Sequence, residues 1–198
     1  MNIIGITGPT GSGKSLLGEI FCEHNIPSID ADRVYHDMLI PPSDCLDAIR
    51  LAFGNEVFLA DGSLDRAKLG AVVFNFPEKL ELLNSTVLSM VIARINELIS
   101  DHKKSGVRAV AIDAPTLIES GFNRKCHTVI SVLAPKELRI QRIMERDSIS
   151  REQAELRIKA QKNDAFYTEN SDYVLNNTEN YEQFKKDATE LFKALGIV

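Results

Sequence analysis

A glycine-rich segment near the start of the chain, Gly8–Ser15, has the residue types and spacing needed to hold a triphosphate, because it fills every fixed position of the pattern G-x-x-x-x-G-K-[S/T]. Glycines allow a concave turn from which several backbone N–H groups converge on one anion. The Lys14 ammonium can reach the β- and γ-phosphates, and the Ser15 hydroxyl suits Mg²⁺, which prefers oxygen ligands. The segment therefore predicts a nucleoside triphosphate site with magnesium.

The segments on either side of this loop have the patterns that such a site requires. Residues 2–7 form an apolar run typical of a buried strand. Residues 16–21 carry apolar side chains at helical spacing, and Asn25-Ile26-Pro27 stops that helix. A triphosphate in the loop then lies on a helix N-terminus, whose partial positive charge favours an anion.

Carboxylates follow two further predicted strands. Residues 27–32 are predicted as a short strand that ends at Asp30 and Asp32, and residues 107–113 as a strand that ends at Asp113. Sites in α/β proteins are built at such strand ends. We expect Asp32 to act as the base beside an acceptor hydroxyl and Asp30 to cap the following helix. Asp113 either helps to hold Mg²⁺ through water or forms a turn.

The segment 136–162 is a local exception to an acidic composition, since eight Lys or Arg and five Asp or Glu give it a net charge of +3. Arg139, Arg142 and Arg146 share one face of a predicted helix, and Arg157 lies on the next helix. Arginines that close over a moving phosphoryl group stabilise its charge and exclude water, which favours a helical lid. The alternative is a solvated pair of helices linked by salt bridges.

The whole pattern predicts an α/β fold with a five-stranded parallel sheet flanked by helices, completed by strands at 128–133 and 172–176. A capping box at Ser150 and Gln153 predicts the start of a second lid helix that runs to about Lys162. The predicted division is 1–32 with 106–138 and 168–198 as the nucleotide-binding core, 33–105 as a helical acceptor-binding insert and 139–167 as the lid.

The insert, 33–105, contains no segment that indicates a strand. Its apolar residues recur at helical spacing, most clearly over 85–104, where the predicted helix ends before Gly106. His36 and Arg66 lie in the insert. They are either positive partners for an anionic acceptor or ordinary surface residues.

The composition narrows the class of protein. The 198 residues are 44% hydrophobic and 26% charged, with no apolar run long enough to span a membrane and no export signal at the start. The net charge of −5 argues against a surface that binds nucleic acid. Cys22, Cys45 and Cys126 are too widely spaced for a zinc site or a disulfide framework. We expect a cytoplasmic monomer without nucleic-acid or membrane partners.

The phosphate loop alone leaves the class open, because kinases, switches, motors and transporters share it. Guanine-reading switches carry Asn-Lys-x-Asp after a strand, whereas residues 161–164 read Gln-Lys-Asn-Asp and follow a predicted helix. The residues therefore favour a small-molecule kinase. A kinase for another nucleotide or nucleoside, and a switch that hydrolyses its nucleotide slowly, are the alternatives.

Several segments taken together resemble one known family, the dephospho-CoA kinases, over nearly the whole chain. The resemblance implies ATP-dependent phosphorylation of the 3′-hydroxyl of dephospho-CoA with Mg²⁺, in the last step of coenzyme A synthesis, on a fold of the nucleoside-monophosphate-kinase group. The segments that carry it are Gly8–Ser15, residues 29–32, 62–66 and 114–120, and Arg146-Asp147 followed by Arg157 and Gln161.

The resemblance also implies roles for individual residues. Asp32 matches the family's catalytic carboxylate, Gly11–Leu16 its ATP-binding turn, Arg146 and Arg157 its lid, and Asn177 an asparagine near the adenine. The expected site residues are Asp32, Lys14 and Arg146 for catalysis; Gly8, Gly11, Ser12, Gly13, Lys14, Ser15, Leu16, Arg142 and Asn177 for ATP; Asp32, His36, Arg66, Glu119 and Arg157 for the acceptor; and Ser15 with Asp113 for Mg²⁺.

The chain departs from the family pattern at three places. Leu88-Ser89 stands where His-Pro is usual, Thr116 where leucine is usual, and Glu179 where glycine is usual. None of these positions lies in the phosphate loop or at Asp32.

Overall fold

The structure, a computed structural model, describes residues 1–178 and 180–198, without the side chain of Phe74. Glu179, one of the departures from the family pattern, lies outside the described residues. The strands are β1 (Asn2–Thr7), β2 (Ser28–Asp30), β3 (Ala109–Asp113), β4 (Thr128–Leu133) and β5 (Tyr173–Asn176). The helices are α1 (Lys14–Glu23), α2 (Ala31–Asp37), α3 (Asp44–Phe53), α4 (Arg66–Phe74), α5 (Pro77–Lys104), α6 (Lys136–Asp147), α7 (Arg151–Lys159), α8 (Asp164–Glu169) and α9 (Tyr181–Ala194).

The five strands form one parallel sheet in the order β2-β3-β1-β4-β5, which confirms the predicted fold class. β1 and β4 have the bounds that the sequence predicts. β2 is shorter than predicted, because it pairs with β3 only from Ser28 to Asp30 and α2 begins at Ala31. Asp32 therefore lies in the first turn of α2 and does not end a strand, so that part of the prediction was wrong.

The chain divides into two compact units, Met1–Asp30 with Asp101–Val198, and Ala31–Ser100. In the first unit, the apolar faces of α1 and α9 pack together in the same core as β1, and the rings of Phe21 and Phe192 stack with centroids 4.1 Å apart. Burial of each such side chain contributes about 1.5–3 kcal/mol to the free energy of folding. This core therefore fixes the position of β1, the strand that leads into the phosphate loop.

The second unit is helical, as the sequence predicts, apart from a single antiparallel bridge between Phe58 and Leu64. Ser43 and Asp65 cap α3 and α4 by accepting backbone N–H groups of the first turn. The long helix α5 begins at Pro77, before the predicted start at residue 85. By length and composition alone α5 could cross a membrane, a weak indication because core helices of soluble proteins meet the same criterion.

The basic segment forms the predicted helical hairpin within the first unit. α6 and α7 pack through Ile140, Ile143 and Ala154, and the capping box of Ser150 and Gln153 is present. α7 ends at Lys159, earlier than predicted, because a new short helix, α8, starts after its own cap at Asn163. The residues between α7 and α8 form a turn that contacts the phosphate loop. The roles of the insert and the lid as functional domains stay predictions.

Candidate active site

The segment Gly8–Ser15 lies between the end of β1 and the first turn of α1, as predicted. Gly8, Gly11 and Gly13 have φ values of 139°, 76° and 108°, a region that L side chains rarely adopt. A Cβ atom would also clash at each position, at Gly8 with the Val132 carbonyl oxygen and at Gly13 with the Asn177 amide. At Gly11 it would lie 2.8 Å from the Arg139 carbonyl oxygen. These positions therefore require glycine both for conformation and for close packing.

The polar groups of the loop fit an anionic ligand. Lys14 begins α1, and its Nζ donates to the Pro9 carbonyl oxygen at 3.2 Å, which keeps the ammonium at the loop. The hydroxyls of Thr7 and Ser12 are fully buried, and the described residues offer neither of them a hydrogen-bond partner. A buried hydroxyl left unsatisfied is costly, so a polar ligand here is favoured. Ser15, the expected magnesium ligand, is exposed in the first turn of α1.

The outer side of the loop is held by Arg142 and Asn177. Arg142 Nη1 donates to the carbonyl oxygens of Gly11 and Ser12 at 3.3 Å each, and Asn177 Nδ2 donates to the Ser12 carbonyl oxygen at 2.9 Å. The two side chains also bond to each other at 3.2 Å. Asn177 is only 2% exposed. The structure thus brings together two expected ATP residues, and both bind the loop's carbonyl groups.

Arg139 belongs to the same stripe as Arg142 but is almost completely buried, with 4% of the residue exposed. Its Nε donates to the Thr10 carbonyl oxygen at 3.0 Å, and its Nη1 lies 3.4 Å from Asp164 Oδ1. Burial lowers the pKa of Arg139, and the Asp164 charge opposes that effect. The Thr10 amide donates to Gln161 Oε1 at 2.8 Å. From the sequence, Gln161 counts only among the residues that carry the family resemblance and has no expected place in the site, because only the fold brings it to the loop.

The two arginines that the resemblance assigns to the lid, Arg146 and Arg157, meet on one carboxylate. Arg146 donates to both oxygens of Asp147, with Nε–Oδ1 at 2.8 Å and Nη2–Oδ2 at 3.0 Å, and Arg157 donates to Oδ2. The hydrogen bond from Arg146 lowers the pKa of Asp147 to about 2. The arginine side chains are 61% and 51% exposed. They can therefore reach a ligand, unlike Arg139.

The acidic candidates divide between the two units. Asp113, the last residue of β3, is 6% exposed and lies opposite Asp30, the last residue of β2, and opposite Ile6 of β1. Asp113 therefore ends the strand next to the one that leads into the loop, where a carboxylate can assist a magnesium ion. Asp32, exposed in the first turn of α2, belongs to the helical unit. Among the residues that the structure describes, no three His, Cys, Asp or Glu side chains form a metal-binding group.

The two acceptor candidates of the helical unit, His36 and Arg66, both lie near Tyr35. The His36 and Tyr35 rings lie 6.1 Å apart in an edge arrangement, and Arg66 is the first residue of α4. Burial raises the pKa of Tyr35, an effect that the nearby Arg66 charge opposes. Glu119, exposed in the turn after β3, is near Tyr167, whose pKa its charge helps to raise after the larger effect of burial. His36 and Arg66 are therefore each near Tyr35 within the helical unit, whereas Glu119 belongs to the first unit.

A parallel sheet whose first strand runs into this loop, followed by a basic helical hairpin that bonds to the loop, defines a P-loop kinase. The family model described as dephospho-CoA kinase matches residues 2–183, so the chain belongs to the dephospho-CoA kinase family and is an ATP-dependent kinase. A dephospho-CoA kinase from Dehalococcoides mccartyi is 37% identical over 185 residues, which are 93% of each chain.

Solved structures agree with this family. TT1252 from Thermus thermophilus superposes with a TM-score of 0.82 at 29% identity, covering 98% of this chain and 97% of the other. Dephospho-CoA kinase from Campylobacter jejuni superposes with a TM-score of 0.73 at 28% identity, covering 98% and 96%. The resemblance drawn from the sequence is thereby confirmed.

Proposed function

We propose that this protein transfers the γ-phosphoryl group of ATP to the 3′-hydroxyl of dephospho-CoA, giving coenzyme A and ADP in the last step of coenzyme A synthesis. The observation that carries the proposal is the loop Gly8–Ser15 with three of its carbonyl groups held from outside. Thr10, Gly11 and Ser12 direct their carbonyl oxygens to Arg139, Arg142 and Asn177. Carbonyl oxygens held in this way leave loop N–H groups to face a triphosphate, apart from those of Thr10 and Ser12, which donate to Gln161 and to the Pro9 carbonyl oxygen.

At the loop, Lys14 and the N-terminus of α1 stabilise the β- and γ-phosphates. A magnesium ion, when bound, neutralises charge that develops on the transferred group. The Ser15 hydroxyl and, through water, the Asp113 carboxylate are suited to hold it, since Mg²⁺ takes few protein ligands and keeps several waters.

For the acceptor, Asp32 is the proposed base that accepts the proton of the 3′-hydroxyl and orients its oxygen. Its exposed position on α2 leaves the carboxylate accessible. Arg66 supplies positive charge in the helical unit for the anionic acceptor, and His36 and Glu119 are further candidate contacts. Phosphoryl transfer depends mostly on positioning and on charge stabilisation, so these contacts decide which alcohol reacts.

Arg146 and Arg157 are the proposed mobile charges. They are paired and half exposed, so an incoming phosphate group can replace or share the carboxylate of Asp147 without burying an arginine that has no partner. Closing of the hairpin then brings positive charge to the transferring group and removes water from it. We expect the enzyme to be a cytoplasmic monomer.

The proposal is tested by turnover with ATP and Mg²⁺ against a panel of acceptors: dephospho-CoA, adenosine, AMP and shikimate. Mass spectrometry should detect one added phosphoryl group on dephospho-CoA and none on the others. A kcat/KM for AMP or adenosine above that for dephospho-CoA would contradict the proposed acceptor. Stabilisation by nucleotide alone, with no further rise in the melting temperature when dephospho-CoA is added, would favour a switch.

A further inference from the structure

Thr10, in the middle of the phosphate loop, is held at both of its backbone polar groups by side chains that are distant in sequence. Its carbonyl oxygen accepts from Arg139 Nε at 3.0 Å, and its amide donates to Gln161 Oε1 at 2.8 Å. Arg139 lies on α6, whereas Gln161 lies in the turn between α7 and α8. Helix α6 and the turn that follows α7 therefore hold the carbonyl and the amide of one loop residue.

Such external bonds matter because the loop cannot fix its own conformation well. Glycines at positions 8, 11 and 13 have many accessible backbone conformations in the absence of packing. Arg139, Arg142 and Asn177 donate to loop carbonyl oxygens, whereas Gln161 accepts from a loop amide. Gln161 thus turns the Thr10 N–H outward, and the peptide plane before Thr10 takes one orientation. Loss of this bond frees the N–H end of that plane, while its carbonyl end, the Pro9 oxygen, still accepts from Lys14 Nζ at 3.2 Å and from the Ser12 amide at 3.3 Å.

Gln161 is also connected to the lid arginines. It follows the end of α7 by two residues, and Arg157, one turn earlier on α7, pairs with Asp147. The turn borders an open cavity of about 780 Å³ that Arg139 and Gln161 both line. Lys162 and Asn163 of this turn are exposed, and Gln161 is bonded directly to Thr10, so a shift at the end of α7 would move Gln161 and, through it, the Thr10 amide.

We propose that Gln161 is a positioning residue that couples the end of α7 to the phosphate loop, by holding the Thr10 amide in the orientation in which the loop binds a triphosphate. The inference rests on the proposed function, in which this loop binds ATP. Coupling of this kind is reciprocal, so nucleotide binding also favours the hairpin position in which Gln161 reaches Thr10.

The experiment compares Gln161→Met, which keeps the length of the side chain without its acceptor, with Gln141→Met. Gln141 is an exposed glutamine on α6 that bonds only to Glu145 among the hydrogen bonds that the described residues show for it. Affinity for a non-hydrolysable ATP analogue with Mg²⁺ is measured by calorimetry. Gln161→Met should weaken it roughly 3- to 10-fold, the range of one net hydrogen bond, and Gln141→Met should leave it unchanged.

A second measurement separates positioning from a general structural role. Hydrogen exchange of the Thr10 amide, followed by ¹⁵N NMR without nucleotide, should become about 10-fold faster in Gln161→Met at an unchanged melting temperature. Gln161→Glu keeps an acceptor and should preserve the slow exchange, so this variant serves if Gln161→Met does not fold.

Three results would overturn the inference: wild-type affinity in Gln161→Met, tighter binding in Gln161→Met, or fast Thr10 exchange in Gln161→Glu. Tighter binding would mean that Gln161 competes with the phosphates for the Thr10 amide. The wild-type protein is assayed for phosphorylation of dephospho-CoA in the same preparation. A wild-type failure contradicts the proposed function, whereas normal wild-type turnover beside a normal Gln161→Met contradicts only the role of Gln161.

Discussion

Two pairs of arginines on the basic hairpin have opposite environments. Arg139 and Arg142 are bonded to carbonyl oxygens of the phosphate loop, and burial lowers the pKa of both. Arg146 and Arg157 are about half exposed and share the Asp147 carboxylate, and the bond to Asp147 raises the pKa of Arg146. The first pair is occupied with carbonyl oxygens of the protein's own loop. The second pair can exchange the Asp147 carboxylate for a phosphate group of a ligand.

This difference shows that arginines on one face of a helix need not share one function. Arg139, Arg142 and Arg146 follow one another at helical spacing, yet their exposure rises along α6, from the buried Arg139 through the half-buried Arg142 to the exposed Arg146. Buried charged groups around the loop are therefore expected to determine its conformation and the protein's stability. Exposed charged groups are expected to act on substrates. The following variants test that separation.

The largest effect is expected at Asp32, an exposed carboxylate. Asp32→Asn keeps the shape of the side chain and removes the base, so saturating turnover should fall by about 10²- to 10⁴-fold, while the melting temperature stays within about 1 °C. Asp30→Asn, on the neighbouring strand end, is the matched control. A near wild-type rate in Asp32→Asn would remove it from the mechanism, and a larger loss in Asp30→Asn would transfer the role.

The exposed arginines come next. Arg146→Ala and Arg157→Ala should each lower kcat by roughly 10²-fold, since each removes a charge from the transferring group, with little change in the KM for dephospho-CoA. The melting temperature should fall by no more than about 1–3 °C, because exposed ion pairs contribute little. Arg151→Ala is the control, since it breaks the exposed pairs with Glu137 and Glu155 in the same hairpin. Loss of acceptor binding at unchanged kcat would assign the arginines to ground-state contacts.

Arg139 should behave in the opposite way. Arg139→Met leaves the Thr10 carbonyl oxygen without its donor and Asp164 without its partner, which costs about 2–3 kcal/mol of unfolding free energy. The melting temperature should therefore fall by about 5–10 °C, as measured by calorimetry, while kcat at saturating ATP falls less than in Arg146→Ala. Equal falls in melting temperature in Arg139→Met and Arg146→Ala would contradict the expected difference between the buried and the exposed arginines.

The smallest effect concerns the pH dependence at Asp147. Its pKa in the native state is about 2, against an ordinary value of 3.8, so the paired carboxylate stabilises the fold above the unfolded-state pKa. That contribution is lost as the pH falls from about 4 toward 2. Asp147→Asn should melt about 1–3 °C below wild type at pH 6, and the gap should narrow as the pH falls below about 4 and close only below pH ~2. A gap that is constant with pH would show that the ion pair does not contribute.

Much of the fold could be predicted from the sequence because its signals are local. The buried runs of β1 and β4, the glycine positions of the loop and the capping box of α7 each depend on neighbours within a few residues. The predicted boundaries were wrong where the end of an element depends on a strand pairing or a helix cap that the sequence pattern did not reveal. The end of β2 depends on its pairing with β3, and the end of α7 on the new cap at Asn163.

The sequence by itself determined that a triphosphate loop, strand-end carboxylates and a basic hairpin are present. Motif spacing and helical periodicity depend only on residues that are close together in the sequence. Only the tertiary structure decided which of these groups meet. Asp30 faces Asp113 through strand order, Arg139 is buried while Arg146 is exposed, and Gln161 reaches Thr10 across the hairpin. Burial and long-range hydrogen bonds depend on how distant segments pack, and residue type alone does not specify that packing.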